Sequence, residues 1–240
     1  MRILMTSDTH EKHRALNIKP DEADVLVVAG DFTLNGEERY VRDFNTWLGE
    51  IDIKHKVIIP GNHDLTFDPF KNPNRFNEYR DMITNGTLLI NSGVQIDGVG
   101  FYGVPDTPFF FDWAFNRYPD EMEVIMQLAV EHHRTKFPID VLITHGPPYN
   151  TLDGVWTAVR DQGSYRLLKR YQEHVGCKAT LKAVQQIKPK IHVFGHIHSG
   201  YGSMWPAGTD FYNVAFVDET YMPAHKPFLV YLGEKDESRT

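Results

Sequence analysis

Five short polar clusters, each closing an apolar run, constrain this chain more than any other feature. They are Asp8-Thr9-His10, Gly30-Asp31, Gly61-Asn62-His63-Asp64, His145-Gly146 and Gly195-His196-Ile197-His198. The runs before them, Ile3-Leu4-Met5, Val25-Leu26-Val27-Val28, Val57-Ile58-Ile59, Val141-Leu142-Ile143 and Val193-Phe194, read as buried strands. The clusters supply carboxylate, amide and imidazole groups, the mixed oxygen and nitrogen donors that divalent transition metals accept. A strand-then-ligand pattern repeated along the chain predicts one metal centre at the C-terminal edges of several strands, where open α/β sheets place their sites.

The 240 residues suit one domain over 1–240 with a sizeable core, ending in a polar tail from about Gly233. The formal net charge of -7 argues against a general nucleic-acid or membrane binder, which needs a basic surface. It leaves a phosphate substrate open, because bound cations reverse the local sign. Cys177 stands alone, so no intramolecular disulfide forms, and no apolar stretch reaches transmembrane length. The first strand starts at Arg2 or Ile3, with no signal-peptide pattern before it, so a cytoplasmic protein is expected.

Strand and helix alternate through the first third. Residues 11–20 read as a short helix or loop, and Gly36 to Ile51 carries an amphipathic stripe of Tyr40, Val41, Phe44, Trp47 and Leu48. Such alternation implies parallel strands joined by right-handed crossovers. The apolar segments Leu88–Ile90, Val94–Ile96 and Val99–Val104 come close together, with Asp97-Gly98 as a hairpin signal, so antiparallel strands extend or follow the parallel sheet. Helices are expected from Pro119 to about Lys136 and from about Gly176 to Ile187, the second stopping before Pro189. Phe211–Val217 and Phe228–Leu232 read as two further strands.

Every cluster has a plainer reading of its own. Asp8 and Asp31 could cap helices, Asn62 could sit in a turn, and His145 before Gly146-Pro147-Pro148 could be a core histidine. His196 and His198 could be solvated loop residues, with Gly195 letting the backbone turn sharply after Phe194. All five plain readings together, in one chain and in this order, are improbable. A carboxylate at the end of an apolar strand is also costly without a partner, which a metal supplies.

The order Asp-x-His, Gly-Asp, Gly-Asn-His-Asp, His-Gly, Gly-His-x-His resembles the calcineurin-like metallophosphoesterase superfamily over nearly the whole chain. The segments Gly30-Asp31-Phe32-Thr33, Asp112-Trp113-Ala114-Phe115-Asn116, Thr144-His145-Gly146-Pro147-Pro148, Gly176-Cys177 and His192–His198 with Gly200-Tyr201-Gly202 are similar to a narrower group, the small metallophosphoesterase-domain (MPPED-type) phosphodiesterases. The resemblance implies an α/β fold, a four-layer αββα sandwich of two mixed β-sheets flanked by helices. It implies two divalent transition-metal ions, Mn, Fe or Zn, with Mn favoured for activity. Asp8, His10 and His198 would hold the first ion, Asn62, His145 and His196 the second, and Asp31 would bridge both. His63 would face the substrate as the catalytic residue. Two cations about 3.5–4 Å apart share a water and lower its pKa; the resulting hydroxide would attack phosphorus in line, and protonated His63 would donate to the leaving alkoxide.

The sequence departs from the phosphoprotein phosphatases of that superfamily. They carry an Arg soon after Gly-Asn-His, where Asp64-Leu65-Thr66 stands here, and a second Asp after Gly-Asp, where Phe32-Thr33-Leu34 stands. The missing arginine removes a clamp for a monoester dianion and favours a diester. The expected activity is therefore a metal-dependent phosphoric ester hydrolase acting on small phosphodiesters, with cyclic nucleotides as one candidate. A broad phosphomonoesterase, a nuclease or a non-catalytic scaffold are the alternatives. Neither a membrane nor stable nucleic-acid binding is expected, and the oligomeric state and the partner of His63 stay open. Phe109-Phe110-Phe111-Asp112-Trp113 is the candidate substrate wall, set against a role as core or loop anchors. Arg160, Arg166, Lys169 and Arg170 could steer an anion, set against a solvated helical face.

Overall fold

Alternation along the buried strands decides the layering. Ile3 and Met5 join one core cluster and Leu4 another; Val25, Val27 and Ala29 separate from Leu26 and Val28 in the same way, as do Val57 and Ile59 from Ile58. Every second side chain points to the same sheet face, so such strands need cover on both sides. The computed structural model describes residues 1–160, 167–206 and 208–233, with side chains described outside 158–171. In chain order the elements are β1 (Arg2–Thr6), β2 (Val25–Ala29), α1 (Glu38–Glu50), β3 (His55–Ile59), α2 (Phe76–Met82), β4 (Thr87–Leu88), β5 (Ser92–Ile96), β6 (Val99–Val104), β7 (Thr107–Pro108) and β8 (Asn116–Arg117). There follow α3 (Pro119–Thr135), β9 (Val141–Thr144), β10 (Gly154–Arg160), β11 (Leu167–His174), α4 (Lys178–Ile187), β12 (Ile191–Phe194), β13 (Gly202–Met204), β14 (Asp210–Asn213) and β15 (Phe228–Tyr231).

Two mixed sheets form the centre, in the orders β15-β1-β2-β3-β4 and β13-β14-β12-β9-β6-β5. In the first, β1 to β4 run parallel and β15 antiparallel. In the second, β6, β9, β12 and β14 run parallel, with β5 and β13 antiparallel at the edges. The inner cluster joins Ile3, Met5, Val27 and Val57 of the first sheet to Phe101, Val141, Ile143 and Val193 of the second. The outer face of the first sheet buries Val41, Phe44, Trp47 and Leu48 of α1 and Tyr79 of α2. The outer face of the second buries Met122, Met126 and Val130 of α3 and Ala183, Val184 and Ile187 of α4. This is the αββα sandwich expected. No helix among the described residues is long and apolar enough to cross a membrane.

Local signals account for the helix ends. Pro119 opens α3, and the Glu121 carboxylate accepts the Tyr118 backbone N–H at 2.7 Å. The last turn of α4 is followed by Lys188 at φ 52° and then Pro189, which cannot continue a helix. Tyr40 is only half-buried, so the buried stripe of α1 starts at Val41. The helical reading around Arg160 to Arg170 is corrected: β10 and β11 form an antiparallel ribbon, a separate two-stranded sheet. The side chains of Arg160, Arg166, Lys169 and Arg170 lie outside the described residues. The expected strand Phe211–Val217 ends at Asn213; beyond it the chain crosses between sheets, with Ser7 N–H donating to the Val214 carbonyl and Phe216 N–H to the Ser7 carbonyl at 3.0 and 2.9 Å.

Candidate metal centre

Parallel pairing brings the C-terminal ends of β1, β2, β3, β9 and β12 to a common edge, and the polar clusters follow those ends. Asp8 and His10 come from the β1 loop, Asp31 from β2, Asn62 and His63 from β3, His145 from β9, and His196 and His198 from β12. Asp8, His10, Asp31, Asn62 and His145 are buried, and His196 and His198 are half-buried. Potential ligand atoms of Asp8, His10 and His198 lie within 4.8 Å of one another, as do those of Asp31, His145 and His196. A third set at the same spacing, His10, Asp31 and His63, joins the other two. The Asn62 Oδ1 is 2.9 Å from His145 Nε2, which is itself 3.3 Å from Asp31 Oδ2. His198 Nε2 lies 3.4 Å from Asp8 Oδ1, and His10 Nε2 lies 3.8 Å from Asp31 Oδ2. All eight residues singled out in the sequence therefore meet in one place.

Backbone carbonyls orient the imidazoles. His145 Nδ1 faces the Ala29 carbonyl at 2.9 Å, His198 Nδ1 the Asp218 carbonyl at 2.9 Å, and His63 Nδ1 the Leu34 carbonyl at 2.8 Å. A carbonyl only accepts, so each Nδ1 carries the proton and each Nε2 is left for the centre. Leu34 is thus the partner of His63. Asp64, its neighbour in sequence, instead accepts from Thr33 N–H and Oγ1–H at 2.9 and 2.7 Å and from Gly61 N–H at 2.8 Å, pinning the β2 and β3 loops together. The role of Gly195 also differs from the one expected. It does not take up a left-handed φ; a Cβ there would collide with Asp8 Oδ2 and Ser7 Oγ. The close approach allows His196 N–H to donate to both Asp8 oxygens at 3.1 and 3.0 Å.

The electrostatics fit a divalent cation. Burial pushes the His10 imidazole down to about 4 and that of His196 down to about 3, so both present neutral lone pairs. Burial works against the Asp31 carboxylate, but His145, His63 and His10 around it hold it below the ordinary range. Burial also opposes charge on His145, yet the Asp31 carboxylate lifts it to about 9. The His10 ring is fully buried and neither of its nitrogens has a hydrogen-bond partner. An unpartnered buried nitrogen is costly inside a protein, and a cation would satisfy the one at Nε2. Two buried carboxylates within the imidazole cluster add the negative charge that such a cation requires.

A cleft of about 300 Å³ opens over these groups. Phe110, Trp113, Val155, Glu219 and Tyr221 line it together with Asp31, Asn62, His63, His196 and His198. The aromatic stretch divides between its two readings: Phe110 and Trp113 face the cleft, whereas Phe109 stacks on Tyr118 at 4.8 Å and Phe111 is 89% exposed. Trp113 lies 4.4 Å from the His63 ring. Asn116 Oδ1 fixes this loop by accepting from Phe110 and Trp113 N–H at 3.2 and 3.0 Å, and Asp68 accepts from Phe115 N–H at 2.7 Å. Glu219 and Tyr221 carry no motif and escaped the sequence reading.

Fold and site together define a metallophosphoesterase. The calcineurin-like phosphoesterase family model matches residues 1–200, and the chain belongs to that family. Its curated relatives include the human metallophosphoesterase domain-containing protein 1, 33% identical over 96% of this chain and 71% of the relative. A UPF0046 protein of Caenorhabditis elegans is 31% identical over 98% of this chain and 76% of its own length. Among solved structures, TT1561 of Thermus thermophilus shares the fold with a TM-score of 0.61 at 15% identity, covering 88% of each chain. The family is metal-dependent, and the clustered donors above suit that chemistry.

Proposed function

We propose that this chain is a dinuclear, metal-dependent phosphodiesterase acting on small diesters, with cyclic nucleotides among the candidate substrates. In this reading Asp8, His10 and His198 hold one ion, Asn62, His145 and His196 hold the other, and Asp31 serves both. Mn²⁺ is the favoured metal. Bound ions of this kind neutralise charge on phosphoryl oxygens and make water acidic enough to act as a nucleophile near neutral pH. The other tasks fall to the chain. His63, with Nδ1–H fixed on Leu34, keeps Nε2 free on the cleft side and, when that nitrogen is protonated, would deliver the proton to the leaving ester oxygen as the P–O bond breaks. Asp31 Oδ1 accepts the His63 backbone N–H at 2.8 Å and so ties the proton donor to the centre. Trp113 packs beside the ring and Phe110 beside His196, excluding water from that flank.

The observation that carries the diester assignment is the charge of the cleft. Among its described lining residues there is no Lys or Arg, and Glu219 adds an acid. Beyond the charge the ions offset, a monoester dianion would meet that acid without a Lys or Arg side chain to clamp it, whereas a diester brings one negative charge and a second organic group for Phe110, Trp113, Val155 and Tyr221. The test is hydrolysis of bis-p-nitrophenyl phosphate against p-nitrophenyl phosphate with added Mn²⁺. A preference for the diester supports the reading, and a strong preference for the monoester overturns it.

A further inference from the structure

Tyr221 sits outside every motif, yet its conformation and surroundings are those of a working residue. Its backbone has φ 61°, a left-handed region that bulky side chains rarely occupy. A short turn holds it there: Asp218 Oδ1 accepts from Thr220 N–H, Thr220 Oγ1–H and Met222 N–H at 2.8, 2.7 and 3.1 Å. The Asp218 carbonyl accepts the Tyr221 N–H at 2.9 Å and also the Nδ1–H of His198 at 2.9 Å. One carbonyl thus fixes a candidate metal ligand and presents Tyr221 to the same cleft. The ring stands edge-on to His10 at 4.7 Å and to His198 at 5.4 Å, and lies 6.0 Å from His63.

The hydroxyl is the informative atom. It makes no hydrogen bond to any described residue, whereas the phenol of Tyr201 donates to the Lys226 carbonyl at 2.8 Å. Tyr221 lines a cleft that lacks, among its described lining residues, any Lys or Arg, so a neutral donor on its ring would meet no cationic side chain competing for a bound anion. We propose that Tyr221 is a substrate-binding residue whose phenol donates a hydrogen bond to a phosphoryl oxygen of the bound ester. A phenol is neutral below about pH 10, so it supplies a donor without a cation, which suits a singly charged ester. The preference for a diester rests on the reading above; the hydrogen bond itself does not.

The variant Tyr221→Phe keeps the ring and removes the oxygen alone. Losing a hydrogen bond to a charged group weakens binding by about tenfold to hundredfold. In Mn²⁺-loaded protein, Tyr221→Phe is expected to raise KM for bis-p-nitrophenyl phosphate and the calorimetric Kd for inert dimethyl phosphate by about tenfold or more, with metal content and melting temperature as in wild type. Unchanged KM and Kd would overturn the proposal and leave the ring a packing role. Loss of metal from the variant would also overturn it, placing the effect on His198. A wild-type enzyme that hydrolyses only the monoester would contradict the diester reading, and the Tyr221→Phe effect would then be read on that substrate and on dimethyl phosphate binding.

Discussion

Asp8, His10, Asp31 and His196 all hang from left-handed backbone, with φ of 50°, 41°, 53° and 66°. Each such residue stores about 1–3 kcal/mol that the surrounding structure must offset. The offset is visible in the bonds that surround them: Asp8 N–H to the Gly30 carbonyl at 2.9 Å, and His10 N–H to the Asp31 carbonyl at 3.0 Å. At this scale His63→Ala is expected to lower kcat by about 10²–10⁴ while metal content stays at the wild-type level; loss of an ion would make His63 a ligand instead. Gly195→Ala tests the close approach, because its Cβ collides with Asp8 and Ser7. It should lose metal binding while a far-UV circular dichroism spectrum stays native. The donor residues were legible in the sequence because a ligand must be one of a few residue types and each follows a strand. Tyr221 was not, since a tyrosine in a turn has no pattern and its place beside His10 arises only from tertiary folding. The task of Asp64 was equally hidden, because adjacency to His63 says nothing about where a side chain points.

Strands buried on both faces and helices with one buried stripe were the most legible. Helices α1, α3 and α4 and strands β1, β2, β3, β9 and β12 announce themselves by periodicity or continuous apolar runs. Phe44 illustrates why: on α1 it is fully buried and stacks on Phe32 at 4.3 Å with a 10° interplanar angle. Phe44→Ala should cost about 3–5 kcal/mol, read as a lowered denaturation midpoint with little change in slope. The ribbon β10–β11 was misread for the opposite reason. It pairs only with itself, and Trp156 is 65% exposed, so its described side chains form no buried face that would impose alternation. Basic residues spaced at three and four positions then imitate a helical face. Yet β10 supplies Val155 to the cleft, so an element without a core signature still contributes to the site.

Across the whole molecule, the centre couples folding, protons and metal. His145 is lifted to about 9 by Asp31 against the opposing effect of burial, and His198 is raised by Asp8 in the same way. A folded-state pKa above the unfolded value of about 6.5 means the proton stabilises the metal-free fold fully below that pH and is lost as pH rises through 9. A cation must displace that proton from Nε2, so Mn²⁺ affinity is expected to rise between pH 6 and pH 9 with net proton release. Calorimetry in buffers of different ionisation enthalpy measures that release, and a pH-independent affinity would contradict it. The polar clusters of both sheets gather at one edge of the sandwich, where Asp31 belongs to two of the donor sets and is proposed to serve both halves of the centre. Metal content of wild type and Asp31→Asn after Mn²⁺ loading and desalting tests this most directly. Two ions per wild-type chain, lost together in Asp31→Asn, is the predicted result; a single ion in wild type, or two retained in Asp31→Asn, would contradict it.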